Sequence, residues 1–148
     1  MALTQPLWDY TDPATYAPHL LRDPLPGIMP KKVLYQEGIN DASVPNQNTR
    51  AMVRTMGMKL LSPRVEAVFG VDEVTGPQDS AYAQFDTGGV PPLGETDVPP
   101  GTTDVHESIR RLEPVKQQLQ LFLKEGGKVQ ETCGGKPCTG LGLQPTGP

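Results

Sequence analysis

With 16 glycines and 17 prolines, more than a fifth of this 148-residue chain consists of residues that bend or end regular structure. No helix or strand can run far between such interruptions, so the expected architecture is loop-rich with short elements. The glycines and prolines follow no period, which sets aside a collagen-like chain or a repeat array. Several apolar segments keep clear strand or helix periodicity, and this argues against a fully disordered chain. Apolar residues make up 36% and aromatics only 5%, so the core is expected to be modest and mostly aliphatic.

The length suits one domain or a piece of a larger one. The net charge is −4 and no Lys/Arg run exceeds two residues, which leaves nucleic-acid binding without an electrostatic footprint. No apolar run approaches the roughly 18 residues that a membrane span needs. The first residues, Met1 to Trp8, offer neither a basic n-region nor an apolar h-region, so no secretory signal is expected within this chain.

Prolines at 6, 13, 18, 24, 26 and 30 punctuate the opening segment, 1–30. Asp12-Pro13 reads as a helix cap followed by proline at the first helical position, giving a short helix over 13–17. The remainder is extended, with Trp8 expected to pack it onto a core. Residues 31–38 (KKVLYQEG) carry the clearest strand pattern, entering on two charges and ending at Gly38. A loop over 39–45 leads to a helix at 46–56, with Met52, Val53 and Met56 on one face and Gly57 placed to end it. This half of a βα unit favours a parallel sheet covered by helices. Further strands are expected at 65–71 (VEAVFGV) and, less regularly, at 81–86 (AYAQFD). The segment from Thr87 to Thr103 is mostly Gly, Pro and Thr, a long irregular loop of a kind usually tied to a site or disordered. A helix at about 107–124 follows, with Leu112, Val115, Leu119, Phe122 and Leu123 as its apolar stripe. Pro114 belongs in the first turn of its main part, and Gly126-Gly127 stop it. The tail, 132–148, is expected to be poorly ordered beyond Cys138. The fold class is therefore α/β, with a short, mainly parallel sheet in the region 31–131.

The chemistry concentrates where this strand ends. An acid that orients a histidine must sit on a rigid element, with its carboxylate free to accept from imidazole Nδ1–H. Strand ends of a parallel sheet provide such positions, and a late loop gives the histidine freedom to approach. Asp41 and His106 occupy these places. The segment from Val33 to Pro45 (VLYQEGINDASVP) resembles the strand, glycine, acid and Val-Pro of the α/β-hydrolase superfamily. Thr103-Asp104-Val105-His106 and the helix behind it are similar to that superfamily's histidine loop and terminal helix. The order acid then histidine also agrees with the family order Ser…Asp/Glu…His. The resemblance covers about residues 8–138. It is closest to large, mostly uncharacterised bacterial hydrolase-like proteins whose C-terminal ends share this pattern and a terminal cysteine pair. It implies a catalytic acid at Asp41, a base at His106 and hydrolysis of an ester, thioester or amide, with no cofactor.

The family's serine, in Gly-x-Ser-x-Gly, has no counterpart here. The serines are Ser43, Ser62, Ser80 and Ser108, and none has glycines at that spacing. The oxyanion donors that accompany such a serine are missing with it. The chain therefore reads as a truncated product, a fragment or one half of a split protein, inactive alone. Its partner would be an N-terminal hydrolase half. The alternative is a non-catalytic binding module derived from the fold, whose open sheet edge favours self-association.

The bland readings stand beside these. Asp41 follows Asn40 in ordinary turn chemistry, and His106 could be a surface residue at a helix start. His19 reads as structural, Met52 and Met56 as core, and Asp104, Glu107, Arg110 and Arg111 as solvated. Cys133 and Cys138, close together across a Gly/Pro loop, form either a small disulfide or two free thiols. A disulfide would imply an extracytoplasmic location. Two cysteines and two distant histidines do not supply a four-ligand zinc set.

Overall fold

The computed structural model describes residues 5–92 and 104–145. Most of the glycine- and proline-rich loop expected before His106 lies outside them. Four parallel strands form one sheet: β1 (Leu34–Gly38), β2 (Leu60–Leu61), β3 (Glu73–Val74) and β4 (Ala81–Phe85), in the order β1-β4-β2-β3. Three short helices precede it, α1 (Gln5–Asp9), α2 (Pro13–Tyr16) and α3 (Pro18–Leu21). Helix α4 (Asn46–Met56) follows β1, and α5 (Val105–Ile109) and α6 (Glu113–Leu123) come last. The protein is mixed α/β. No helix among the described residues is long and apolar enough to cross a membrane.

Strand β4 is the centre of the sheet and is buried along its whole length. It pairs with β1 over five residues, from Leu34 opposite Ala81 to Gly38 opposite Phe85. Its side chains alternate between two cores, as the two-residue period of a strand requires. Ala81, Ala83 and Phe85 pack with Ile109, Leu112 and Val115 on the α5–α6 side. Tyr82 packs with Val53 and Met56 of α4 on the other, where Ala17, 1% exposed, brings the N-terminal segment in. Small residues at Ala81 and Ala83 let the α5–α6 layer approach the sheet.

Several expectations hold. Helix α4 has the expected bounds and ends on Gly57, whose φ of 73° satisfies the left-handed cap. Asp12 caps α2 by accepting from the Ala14 amide at 2.9 Å. Pro114 lies in the first turn of α6.

Others need correction. Residues 65–71 are not a strand, despite their alternation. The amides of Val65 and Glu66 donate to the side-chain oxygen of Gln84, at 3.1 and 3.0 Å, so a buried side chain takes the place of a ladder partner. The sheet positions on either side go to the short β2 and β3. The last helix is two helices, separated by a turn at 110–112, because Pro114 has no N–H to continue the ladder from α5. Leu119 and Leu123 of the expected stripe are exposed, and Gln118 is buried instead. The Gln118 amide group donates to the Gln130 carbonyl at 2.8 Å and its oxygen accepts from Gln36 at 3.0 Å, so a polar residue is satisfied in the core. Trp8 does not pack onto the core: it is 67% exposed, and its carbonyl accepts from the amides of Thr11 and Asp12 and from the Thr11 hydroxyl.

In the tail, the cysteines take one of their two expected states, and the departure lies beyond them. Cys133 and Cys138 form a disulfide with a Cα separation of 5.5 Å, and Cys138 is buried in the α5–α6 core. Beyond it the chain stays bonded to the domain. The Asp86 amide donates to the Cys138 carbonyl at 2.8 Å, and the Leu141 amide donates to the Asp86 carbonyl at 3.2 Å. The Gln144 amide then reaches Ser108 Oγ at 2.6 Å. Among the described residues Glu131, Cys133 and Cys138 are the one cluster with three metal-type ligands. Its sulfurs are bonded to each other, and its carboxylate accepts from the amides of Cys133 and Gly135. Opening so small a loop should lower stability by about 2 kcal/mol through the unfolded chain. The check is urea unfolding of Cys133→Ser/Cys138→Ser against the oxidised protein, and coincident transitions would refute it.

Candidate functional site

At the end of β1 the chain must turn sharply and still leave a carboxylate pointing at α5. Asn40 makes the turn with φ at 64°, a left-handed conformation that asparagine tolerates better than most residues. The Asn46 side chain then clasps the turn from both sides. Its oxygen accepts from the Asn40 amide at 2.7 Å, and its NH2 donates to the Gly38 carbonyl at 2.7 Å. Asn40 in turn donates from its side chain to the Gly89 carbonyl at 2.9 Å, tying in the segment that leaves β4. Asn46 opens α4, so strand end, loop and helix start become one rigid unit.

Asp41 sits inside this unit, 6% exposed. Its Oδ1 accepts from the amides of Ser43 and Val44, at 2.8 and 3.0 Å. Two amides on one oxygen fix the carboxylate plane and leave Oδ2 for another donor. His106 Nδ1 lies 2.9 Å from that Oδ2. Since the carboxylate can only accept, this contact assigns the hydrogen to Nδ1. Nε2 is then an acceptor, and Arg110 Nη2 lies 2.8 Å from it.

His106 is the second residue of α5, not a loop residue ahead of it. Asp104 caps that helix, accepting from the Glu107 amide at 3.0 Å. Glu107 pairs with Arg110 at 2.8 Å. The helix can bring His106 to Asp41 because Gly38 and Gly89 have no side chains. A Cβ at Gly38 would stand 2.8 Å from Val105 Cγ1 and 3.5 Å from Ile109 Cδ1, and one at Gly89 would stand 2.5 Å from Val105 Cγ2. Val105 is 1% exposed and precedes His106, so any displacement of one carries the other.

A cavity of about 370 Å³ opens beside the pair. Residues of β1, of α4 and of α5–α6 all line it. Helices from both layers can meet in this way only beyond the outer edge of β1. That edge has no partner strand among the described residues. Val33 and Ile39 spend their backbone groups on β4, so Leu34 and Gln36 turn theirs outward.

Below the cavity lies a buried carboxylate. Glu37, 2% exposed, accepts from the Tyr82 hydroxyl, from Gln84 Nε2 at 3.2 Å and from Arg50 Nε at 3.3 Å. Arg50 also pairs with Glu66. Burial pushes the Glu37 carboxyl above its ordinary value, against the opposing effects of Tyr82, Arg50 and Gln84. Tyr82 is pushed up by burial and by the Glu37 charge.

The structure thus brings Asp41 and His106 together. It places His19 elsewhere, with Nδ1 2.7 Å from the Asp23 carbonyl, a local structural contact. Arg110 is more than a solvated residue, because it caps the imidazole. The sequence does not mark Asn46 or Glu37 as part of a site. Gly38 and Asn40 could be seen only as turn residues, and nothing in the sequence marks Asn46 as a clasp.

Gly38→Ala should lower stability by about 1–3 kcal/mol by overpacking, and should weaken the His106–Asp41 bond. The His106 Nδ1–H proton resonance reports the bond, and Val105→Ala in the same chain should restore it. An unchanged resonance in Gly38→Ala would show that the glycine is not what admits α5.

No family model, no curated protein and no solved structure matches the chain. The functional argument therefore rests on the chemistry of this site.

Proposed function

We propose that this chain is the acid-and-base part of a serine hydrolase of α/β-hydrolase type, acting on an ester, thioester or amide. The observation that carries this reading is the 2.9 Å contact from His106 Nδ1 to an Asp41 carboxylate whose other oxygen is already held by two amides. In such a pair the carboxylate keeps the imidazole in one tautomer and stabilises the imidazolium formed during reaction. Nε2 of His106 would take the hydroxyl proton of a serine as its oxygen attacks the substrate carbonyl. The same nitrogen would return the proton to the leaving group. Asp41 holds no proton in either step.

The serine would come from elsewhere. Ser108 is fully buried and accepts from Gln144, while Ser80 accepts from the Val33 amide. At Nε2 stands Arg110. The isolated chain should accordingly show no turnover of p-nitrophenyl acetate above that of His106→Ala. Clear turnover that His106→Ala abolishes would mean that the nucleophile lies within this chain.

A second reading, a non-catalytic interaction module, draws support from the unpaired outer edge of β1. Outward amides and carbonyls on an edge strand invite pairing with another chain. On this reading, size-exclusion chromatography with light scattering shows a mass that rises with concentration. A monomer mass that stays constant at every concentration argues against it.

A further inference from the structure

The cavity beside His106 combines an apolar wall with a cationic rim. Val44, in the loop before α4, and Leu119, on α6, are 40% and 43% exposed and face into it, and Tyr35 lines it from β1. Val44 and Leu119 belong to neither core, and Tyr35 is only partly buried against the α4 core, so the wall keeps surface available to an apolar group. Its volume, about 370 Å³, falls at the small end of ligand sites.

The rim is positive. Arg110 and Lys116 border the cavity, and no ion pair involves Lys116 among the described residues. The two carboxylates that also border it are already engaged. Asp41 is held by His106 and two amides, and Glu37 by Tyr82, Gln84 and Arg50. Arg110 spends Nη1 on Glu107, but its Nη2 faces a neutral imidazole nitrogen rather than an anion. A guanidinium bonds more strongly to a carboxylate than to a neutral acceptor.

We propose that this cavity binds a small amphiphilic monocarboxylate, its head at Arg110 and Lys116 next to His106 and its apolar tail against Tyr35, Val44 and Leu119. Apolar walls favour a tail over a second charge, which selects against inorganic phosphate. The inference deepens the hydrolase reading, since acyl hydrolysis leaves a carboxylate. Binding nevertheless requires no turnover, so the two can fail separately.

The experiment is titration of the full chain with sodium decanoate below its micelle concentration, followed by calorimetry and by amide NMR. Saturable binding is expected, with the largest shifts at His106, Arg110 and Leu119. Decan-1-ol, which keeps the tail and loses the charge, should bind about tenfold more weakly. Acetate should be weaker still, since each buried methylene contributes about fourfold. Arg110→Gln should weaken decanoate by about tenfold and leave decanol unchanged. Should that variant misfold, Lys116→Gln and the wild-type shift map carry the same comparison. Equal binding of decanoate and decanol, shifts centred away from the cavity, or no saturation would each overturn the proposal. Binding as expected by a chain that never regains turnover with any serine-bearing partner would sink the hydrolase reading and leave this one standing.

Discussion

A buried carboxylate governs the geometry of the rest. Glu37 lies inside the sheet, and removing an ionised carboxyl from water costs several kcal/mol unless its oxygens are satisfied. Three donors from two elements satisfy it: Tyr82 and Gln84 on β4, and Arg50 on α4. Meeting that demand fixes β1 against β4 and sets α4 at a defined position along both. Arg50 extends the constraint to Glu66, and Gln84 uses its oxygen on the amides of Val65 and Glu66. One polar cluster therefore orders the strand before Asp41, the helix after it, and the irregular segment that replaces an expected strand. Asn46 is then delivered to the turn by the same helix that carries Arg50.

On that platform the acid and the base are positioned by different means. Asp41 is fixed locally, by a turn and two amides within three residues of it. His106 is fixed from a distance. Helix α5 is short, and a five-residue helix has little stability of its own. Its order comes from Ile109 packed on the sheet, from Val105 buried against Gly38 and Gly89, from the Asp104 cap, and from the tail that bonds to Ser108 and Arg111. Gly38 and Gly89 admit this packing. The disulfide acts on the same layer, because Cys138 packs beside Ile109 and starts the segment that returns to Asp86. The seemingly peripheral tail thus supports the histidine.

These two modes explain what could be read from the sequence. Local determinants were legible: β-formers ending at a glycine for β1, an apolar face and a terminal Gly57 for α4, Asp12 before Pro13 for α2. The place of Asp41 at a strand end was legible for the same reason. The parallel sheet followed from a βα unit, though not the strand order, which brings β4 between β1 and β2. What could not be read depends on partners far along the chain. The alternation at 65–71 is real, but Gln84, some 18 residues away, claims its amides. The stripe of α6 was read with Leu119 inward, whereas Gln36 makes Gln118 the buried residue at that turn. Arg110 reads as solvated and is exposed, but its contact with an imidazole oriented by Asp41, 65 positions from His106, has no mark in the sequence.

Arg110 also bears on what the pair can do by itself. A histidine oriented through Nδ1 is useful only through Nε2, and here that nitrogen meets a cationic donor. Protonation at Nε2 would place two donors against each other, so the Arg110 contact and the charged imidazole are mutually exclusive unless an acceptor enters between them. Asp41 at Nδ1 accepts from the imidazole in either charge state, and only the Arg110 contact at Nε2 requires the neutral one. Either a serine hydroxyl or an anion could relieve this contact, in different ways. A hydroxyl would replace Arg110 as the donor to Nε2. A carboxylate would instead draw the guanidinium away. Both require access from the same side, the cavity at the open edge of β1. The site is thus built around an approach that no hydroxyl or anion among the described residues is seen to make.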